Sequence, residues 1–144
     1  MADNSDREMR LSLVTLLVRI SLGVTLFFWG LIKFIGPGGY SGFVGWIVAS
    51  FKDTWLPGFL LTPFAYLVPW AEVGLGLLLL IGLLTRYSLF LTGLYLTALC
   101  FGQVVLGKPD VVAHNLIYII LVAMGIWASE QDRFSLDRFR KKPE

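Results

Sequence analysis

Along the chain, long apolar runs alternate with short polar breaks. Four runs are long enough for a helix to cross a hydrocarbon core, which takes about 20 apolar residues. They cover residues 11–34, 63–85, 87–106 and 111–128. None alternates in steps of two, as the strands of a membrane barrel do. The pattern therefore predicts an all-α fold, a bundle of four transmembrane helices. Residues 1–10 form a polar leading segment, and residues 129–144 form a polar, basic tail.

The breaks are unequal. Spans two and three meet at Arg86 and Tyr87, and spans three and four at Gly107-Lys108-Pro109-Asp110. Residues 35–62 separate spans one and two, and Gly36-Pro37-Gly38-Gly39 stops the first helix. Ser41 can then cap a short helix to about Thr54, with Phe43, Ile47 and Phe51 on one stripe and Lys52 and Asp53 off it. That is the pattern of an interfacial amphipathic helix, although Gly42 and Gly45 weaken it. Trp55-Leu56-Pro57-Gly58 ends it.

Composition sharpens this picture. Hydrophobic residues make up 56% of the chain and charged residues 15%, against about 25% charged in a soluble domain. A water-facing surface cannot be built from so few charges, so lipid is the predicted partner of most of the surface. The first apolar run is too long for a signal-peptide core and lacks a small-x-small cleavage site, so it reads as a retained span. With four spans both termini share a side. That side collects Arg7, Arg10, Arg19, Arg86, Arg133, Arg138, Arg140, Lys141 and Lys142, against Lys33, Lys52 and Lys108 on the other. The bias places both termini in the cytoplasm, for a multi-pass protein of the bacterial inner (plasma) membrane. Trp46, Trp55 and Trp70 then fall near the outer interface, where indole rings prefer to sit. The tail after Ala128 either lies on anionic headgroups or simply sets topology. The basic residues form no stripe with interleaved aromatics, so nucleic acid is not an expected partner. Cys100 is the single cysteine, which excludes an intrachain disulfide.

Candidate chemistry lies in the polar residues inside the apolar runs. Ionisable groups in hydrocarbon are costly and need partners or water. Arg19, Glu72 and His114 are such groups, with Lys33 near a helix end and Gln103, Asn115, Tyr95 and Tyr118 as neutral companions. With Arg10, Arg86 and Glu130 set at one membrane edge, 1.5 Å per residue puts Arg19 roughly 13 Å in and Glu72 roughly 21 Å in. Gln103, His114 and Asn115 fall at about 22–24 Å, and Lys33 at roughly 34 Å, the far edge. Arg19, Gly23, Leu26, Gly30 and Lys33 share one helical stripe, and Pro69, Glu72 and Gly76 share another. The economical pairing is Arg19 with Glu72. The pair either staples two helices or sets up a pocket with Glu72 as proton acceptor and Lys33 at the mouth. Gln103, His114 and Asn115 would complete that pocket. Phe27, Phe28, Trp29 and Phe34 would line an apolar ring pocket, or simply pack. One histidine supplies neither a bis-histidine haem nor a zinc ligand set, so no metal site and no covalently bound cofactor is expected.

Several short motifs resemble the DoxX/DoxD family of small four-helix membrane proteins: Leu17-Val18-Arg19, then Phe28-Trp29-Gly30-Leu31-Ile32-Lys33. Pro69-Trp70-Ala71-Glu72, Gly74-Leu75-Gly76, Thr85-Arg86 and the terminal Ser135-Leu136-Asp137 follow in order. The resemblance implies the four-helix bundle and makes Arg19, Lys33 and Glu72 family-typical positions. DoxD-type members resemble subunits of a thiosulfate:quinone oxidoreductase, and other relatives are linked to oxidative-stress complexes or membrane-protein assembly. The related methylamine-utilisation proteins suggest thiol chemistry, against which the lone Cys100 argues. The resulting expectation is an accessory subunit of a quinone-linked redox system. It would bind a small polar ligand or quinone headgroup through Arg19, Lys33, Glu72, Gln103, His114 and Asn115. Its partners would be other copies or redox subunits. The alternatives are permeation of a small anion or weak acid, and a scaffold whose charges only fix helix packing.

Overall fold

A computed structural model describes residues 2–131 and Phe134. Within them lie five α-helices and no strand: α1 (Ala2–Ile35), α2 (Gly39–Ser50), α3 (Gly58–Ile81), α4 (Thr85–Val105) and α5 (Pro109–Ala128). A 3-10 turn (Ser129–Gln131) follows. α1, α3, α4 and α5 are long and apolar enough to cross a membrane, so the protein is a four-span helical bundle with a short helix inserted after the first span. The terminal motif 135–137 and the basic residues expected beyond it lie outside the described residues.

Three of the helices, α1, α3 and α4, stop where the sequence offers a left-handed glycine just beyond their last turn. α1 ends at Ile35, and Gly38 (φ +77°) and Gly39 (φ +59°) reverse the chain into α2. At the end of α3, Gly82 (φ +70°) lets the Gly82 and Leu83 N–H groups both return to the Leu78 carbonyl, closing the helix end. Gly107 (φ +65°) does the same for α4, with Lys108 N–H donating to Gln103 O, and Pro109 starts α5 in the position where its missing N–H costs nothing.

The boundaries differ from the sequence reading at α2 and at the starts of α1 and α3. α2 runs Gly39–Ser50 with Gly38 as its N-cap, so Ser41 lies inside the helix and does not cap it, its hydroxyl donating to Gly38 O instead, and the helix ends before Thr54. The polar leading segment is helical over residues 2–10, which form the first turns of α1. The second span was expected from Pro63, but α3 begins at Gly58, after Pro57. Pro57 serves as the N-cap, where an N–H has no intrahelical partner, and Pro63 stands inside the helix at the loss of one ladder hydrogen bond. Phe59, Leu60 and Leu61 therefore extend the span by more than a turn.

α1 packs along α3 and also against α5, α4 packs on α5 and α3, and α2 lies on α1 and α3. The core is Val18, Leu22, Leu26, Leu79, Leu89, Leu96 and Val122. The outer faces are as apolar as the core: Leu17, Trp29, Leu67, Leu94, Ile117 and Trp127 are all exposed. An apolar patch of that extent is stable only against lipid.

The α1–α3 seam fixes the level at which the two helices meet. A Cβ on Gly76 would fall 2.5 Å from Phe27 N and 2.9 Å from Gly23 O. One on Gly30 would fall 2.8 Å from Val73 N and 2.9 Å from the Glu72 Cβ. Glycines at these sites let the two backbones touch, the close packing that substitutes for hydrophobic drive in lipid. The seam sets Gly30 beside Glu72.

Candidate functional site

Lys33 lies three residues beyond Gly30. Helical side chains lean toward the N-terminus of their helix, so the lysine leans back down to the level of Glu72. Its Nζ donates to Glu72 Oε2 and lies 5.2 Å from the centre of the Phe43 ring. From α4, the Tyr95 hydroxyl donates to Glu72 Oε1 at 2.7 Å. Both carboxylate oxygens are thus held, one by an ammonium and one by a phenol. The Glu72 side chain is 6% exposed and that of Lys33 18%. Both partners are within a bundle whose surroundings penalise an unpaired charge.

Arg19 takes a different place from the one its sequence position suggested. Its Nε donates to Leu79 O at 3.1 Å, and its guanidinium lies over Gly82, where an added Cβ would collide with Nη2. Arg19 therefore caps the last turn of α3, where unpaired carbonyls and the helix dipole favour a cation. The expected Arg19–Glu72 pair is replaced by Lys33–Glu72. The reason is register. Arg10 and Arg86 do not share a level, and α1 sits about 8 Å lower against α3 than that assumption gave. Arg19 also leans away from Glu72, by the same rule that brings Lys33 toward it.

A cavity of about 370 Å³ opens beside the Lys33–Glu72 pair. Phe43, Ile47 and Phe51, the inward stripe of α2 and its cap, form one wall. Leu61, Phe64 and Val68 of α3 face them, and Leu99, Gly102 and Gln103 of α4 complete it. The volume lies in the range of small-molecule pockets, about 300–1,000 Å³, and the lining is of the same kind, apolar with a few convergent polar groups. Lys33 has three N–H donors, of which Glu72 takes one. Gln103 is half-buried against the cavity, and among the described residues none hydrogen-bonds its side-chain amide.

Of the six site residues expected from sequence, the fold brings Lys33, Glu72 and Gln103 to one cavity. Arg19 is buried elsewhere in the bundle. His114 is exposed on α5 and Asn115 half-buried, and neither lines the cavity. The aromatic wall comes from Phe43, Phe51 and Phe64 and not from Phe27, Phe28, Trp29 and Phe34, of which Phe28 and Trp29 face outward. Tyr95 appeared in sequence only as a companion, yet it is a direct partner of Glu72. The available signal was that a tyrosine inside a span needs a hydrogen-bond partner for its hydroxyl. Among the described residues no three His, Cys, Asp or Glu side chains are grouped to hold a metal ion.

The sequence pattern of the family described as DoxX matches residues 14–104. The match runs from within α1 to near the end of α4, well over half of the chain. Lys33, Glu72, Tyr95 and Gln103 lie inside it, and His114 and Asn115 outside. No curated protein and no solved structure matches the chain.

Proposed function

This chain belongs to the DoxX family of multi-pass membrane proteins, and from that premise we propose that it is an accessory subunit of a quinone-linked redox system. Its cavity would bind the quinone headgroup. The supporting observation is a buried carboxylate held by Lys33 and Tyr95 at the polar end of an otherwise apolar cavity. A ring with carbonyl oxygens fits that donor set. A free N–H of Lys33 and the amide of Gln103 donate to ring oxygens, while Phe43, Phe51 and Phe64 pack on the ring. A bound quinone carries electrons and protons in pairs between the bilayer and a redox partner subunit. Glu72, an ionised carboxylate paired with Lys33 at rest, would accept one proton from a hydroquinone whose two electrons pass to the redox partner and whose other proton leaves the site, and Lys33 and Tyr95 hold its two oxygens in place. The surrounding side chains exclude water from the exchange. In this reading both termini face the cytoplasm of a bacterial cell, and Glu72 lies in the outer half of the inner membrane.

A permeation role for a small anion is less well supported. Lys33, the cation nearest the cavity, is already neutralised by Glu72. A pure scaffold role leaves the cavity and the unbonded Gln103 amide without a purpose.

The test is affinity purification from native membranes in mild detergent, with bound small molecules and co-purifying proteins identified by mass spectrometry. Quinone and a redox subunit recovered with the wild-type chain, and quinone lost from Glu72→Gln, support the proposal. Partner proteins without quinone, recovered equally with both chains, favour the scaffold.

A further inference from the structure

The cavity is closed at one end and open at the other. At the closed end Leu61, Ala65, Val68 and Glu72 are at most 5% exposed. At the open end Trp46, Leu60 and Phe101 are 57%, 56% and 51% exposed. α2 rests on α1 and α3, whereas α4 rests on α3 and α5, so the opening falls between α2 and α4. Phe51 reaches across toward Gly102 below it, where an added Cβ would be 3.4 Å from Phe51 Cζ.

Two contacts tie the rim on the side of the connecting loops. Lys108, in the α4–α5 turn, places Nζ 6.0 Å from the Trp46 ring. Trp55, in the α2–α3 connection, meets Phe101 edge to face at 6.1 Å. The cation against the rim, Lys108, lies on the Trp46 ring and is not among the lining residues. The ionised lining residues are Lys33 and Glu72, both deep inside. A mouth serving water-borne ions draws them with charge at its edge, and this mouth offers indole, phenyl and isobutyl groups.

We infer that the cavity is entered sideways from the bilayer through the α2–α4 window. Its ligand is then a lipid-dissolved molecule with an acceptor-bearing head and an apolar tail. The head passes Trp46 and Phe101 to reach Lys33 and Gln103, and the tail stays in the window against Leu60 and the surrounding lipid. Burying the head removes water from it only once, on leaving the interfacial region, and the tail never leaves hydrocarbon. The inference rests on the proposed function for the identity of the head, and adds the route and the tail.

The test uses the full chain in lipid nanodiscs and a benzoquinone carrying a photoreactive diazirine part-way along an alkyl tail. After illumination, labelled positions are mapped by mass spectrometry, with and without excess unlabelled decyl-benzoquinone. The expected result, read at single-residue resolution by fragmentation, is labelling concentrated on Trp46, Leu60 and Phe101 themselves. It should fall at least five-fold with competitor and in Glu72→Gln. Labelling that is competed and Glu72-dependent, but maps to Trp55 and Lys108 or to α5, overturns the sideways route and leaves the quinone site standing. Labelling spread over lipid-facing residues such as Leu17 and Trp127, indifferent to competitor and to Glu72→Gln, overturns both. Leu60→Trp, an enlargement at an exposed position that leaves the packing intact, should slow binding of the decyl-benzoquinone at least three-fold. An unchanged rate argues against the window.

Discussion

Lys33 and Glu72 form an ion pair that neither helix predicts alone. It exists because Gly30, three residues before the lysine, touches the Glu72 Cβ region and leaves the lysine one turn above it. The pair is largely buried, so its members are coupled. Lys33→Met strands a carboxylate, and cost on the order of 3–5 kcal/mol is expected. Adding Glu72→Gln removes the stranded charge, so the double variant is expected to be more stable than Lys33→Met alone. A double-mutant cycle of thermal or steric-trap unfolding in one detergent measures this coupling. Additive costs would mean that the two groups do not interact.

Two glycines on one helix should respond in opposite ways. A Cβ at Gly76 runs into the backbone of Phe27, which cannot yield, while one at Gly74 meets nothing within 4 Å. Gly76→Ala is expected to destabilise by about 1–3 kcal/mol, as overpacking does. Gly74→Ala should be neutral or slightly stabilising through helix propensity. Unfolding midpoints of the two purified variants decide it.

Gly82 meets two demands at once. Its φ of +70° disfavours any side chain, by roughly 1–2 kcal/mol. The added methyl would also collide with the Arg19 guanidinium. Gly82→Ala should therefore destabilise more in the wild-type chain than in one carrying Arg19→Met, where the collision is gone. Equal losses in both backgrounds would show that Arg19 does not lie over the turn.

How much of this was legible in the sequence differs between fold and site. The four spans are written in uninterrupted apolar runs, and the stripe of Phe43, Ile47 and Phe51 anticipated the wall that α2 presents. Which charge meets Glu72 was not legible. It depends on the sliding of α1 against α3 by a few ångströms, and basic residues at the membrane edge fix that level only to within a turn or two. The glycines at 23, 30 and 76 mark a close seam, but not its register. Counting residues gives His114 and Asn115 a depth but not the direction in which α5 turns them, and the bundle turns the histidine outward. Depth follows from counting residues, whereas facing depends on the neighbours.

That difference supplies a control. His114→Ala alters an exposed side chain remote from the cavity lining, and should leave stability within about 0.5 kcal/mol of wild type. Gln103→Leu keeps the size of a cavity-lining residue and removes its amide, and should weaken headgroup binding about five- to ten-fold, the loss of one hydrogen bond. Parallel titrations of the two variants with the same short-tailed quinone make the comparison.

The central claim is tested most directly by equilibrium binding of decyl-benzoquinone to the full chain in nanodiscs, for wild type, Glu72→Gln, Tyr95→Phe and His114→Ala. The account predicts saturable one-to-one binding to wild type and His114→Ala, weakened at least ten-fold in Glu72→Gln and by a smaller factor in Tyr95→Phe. Saturable binding of equal affinity in all four would place the ligand elsewhere, and an absence of saturable binding to wild type would contradict the account outright.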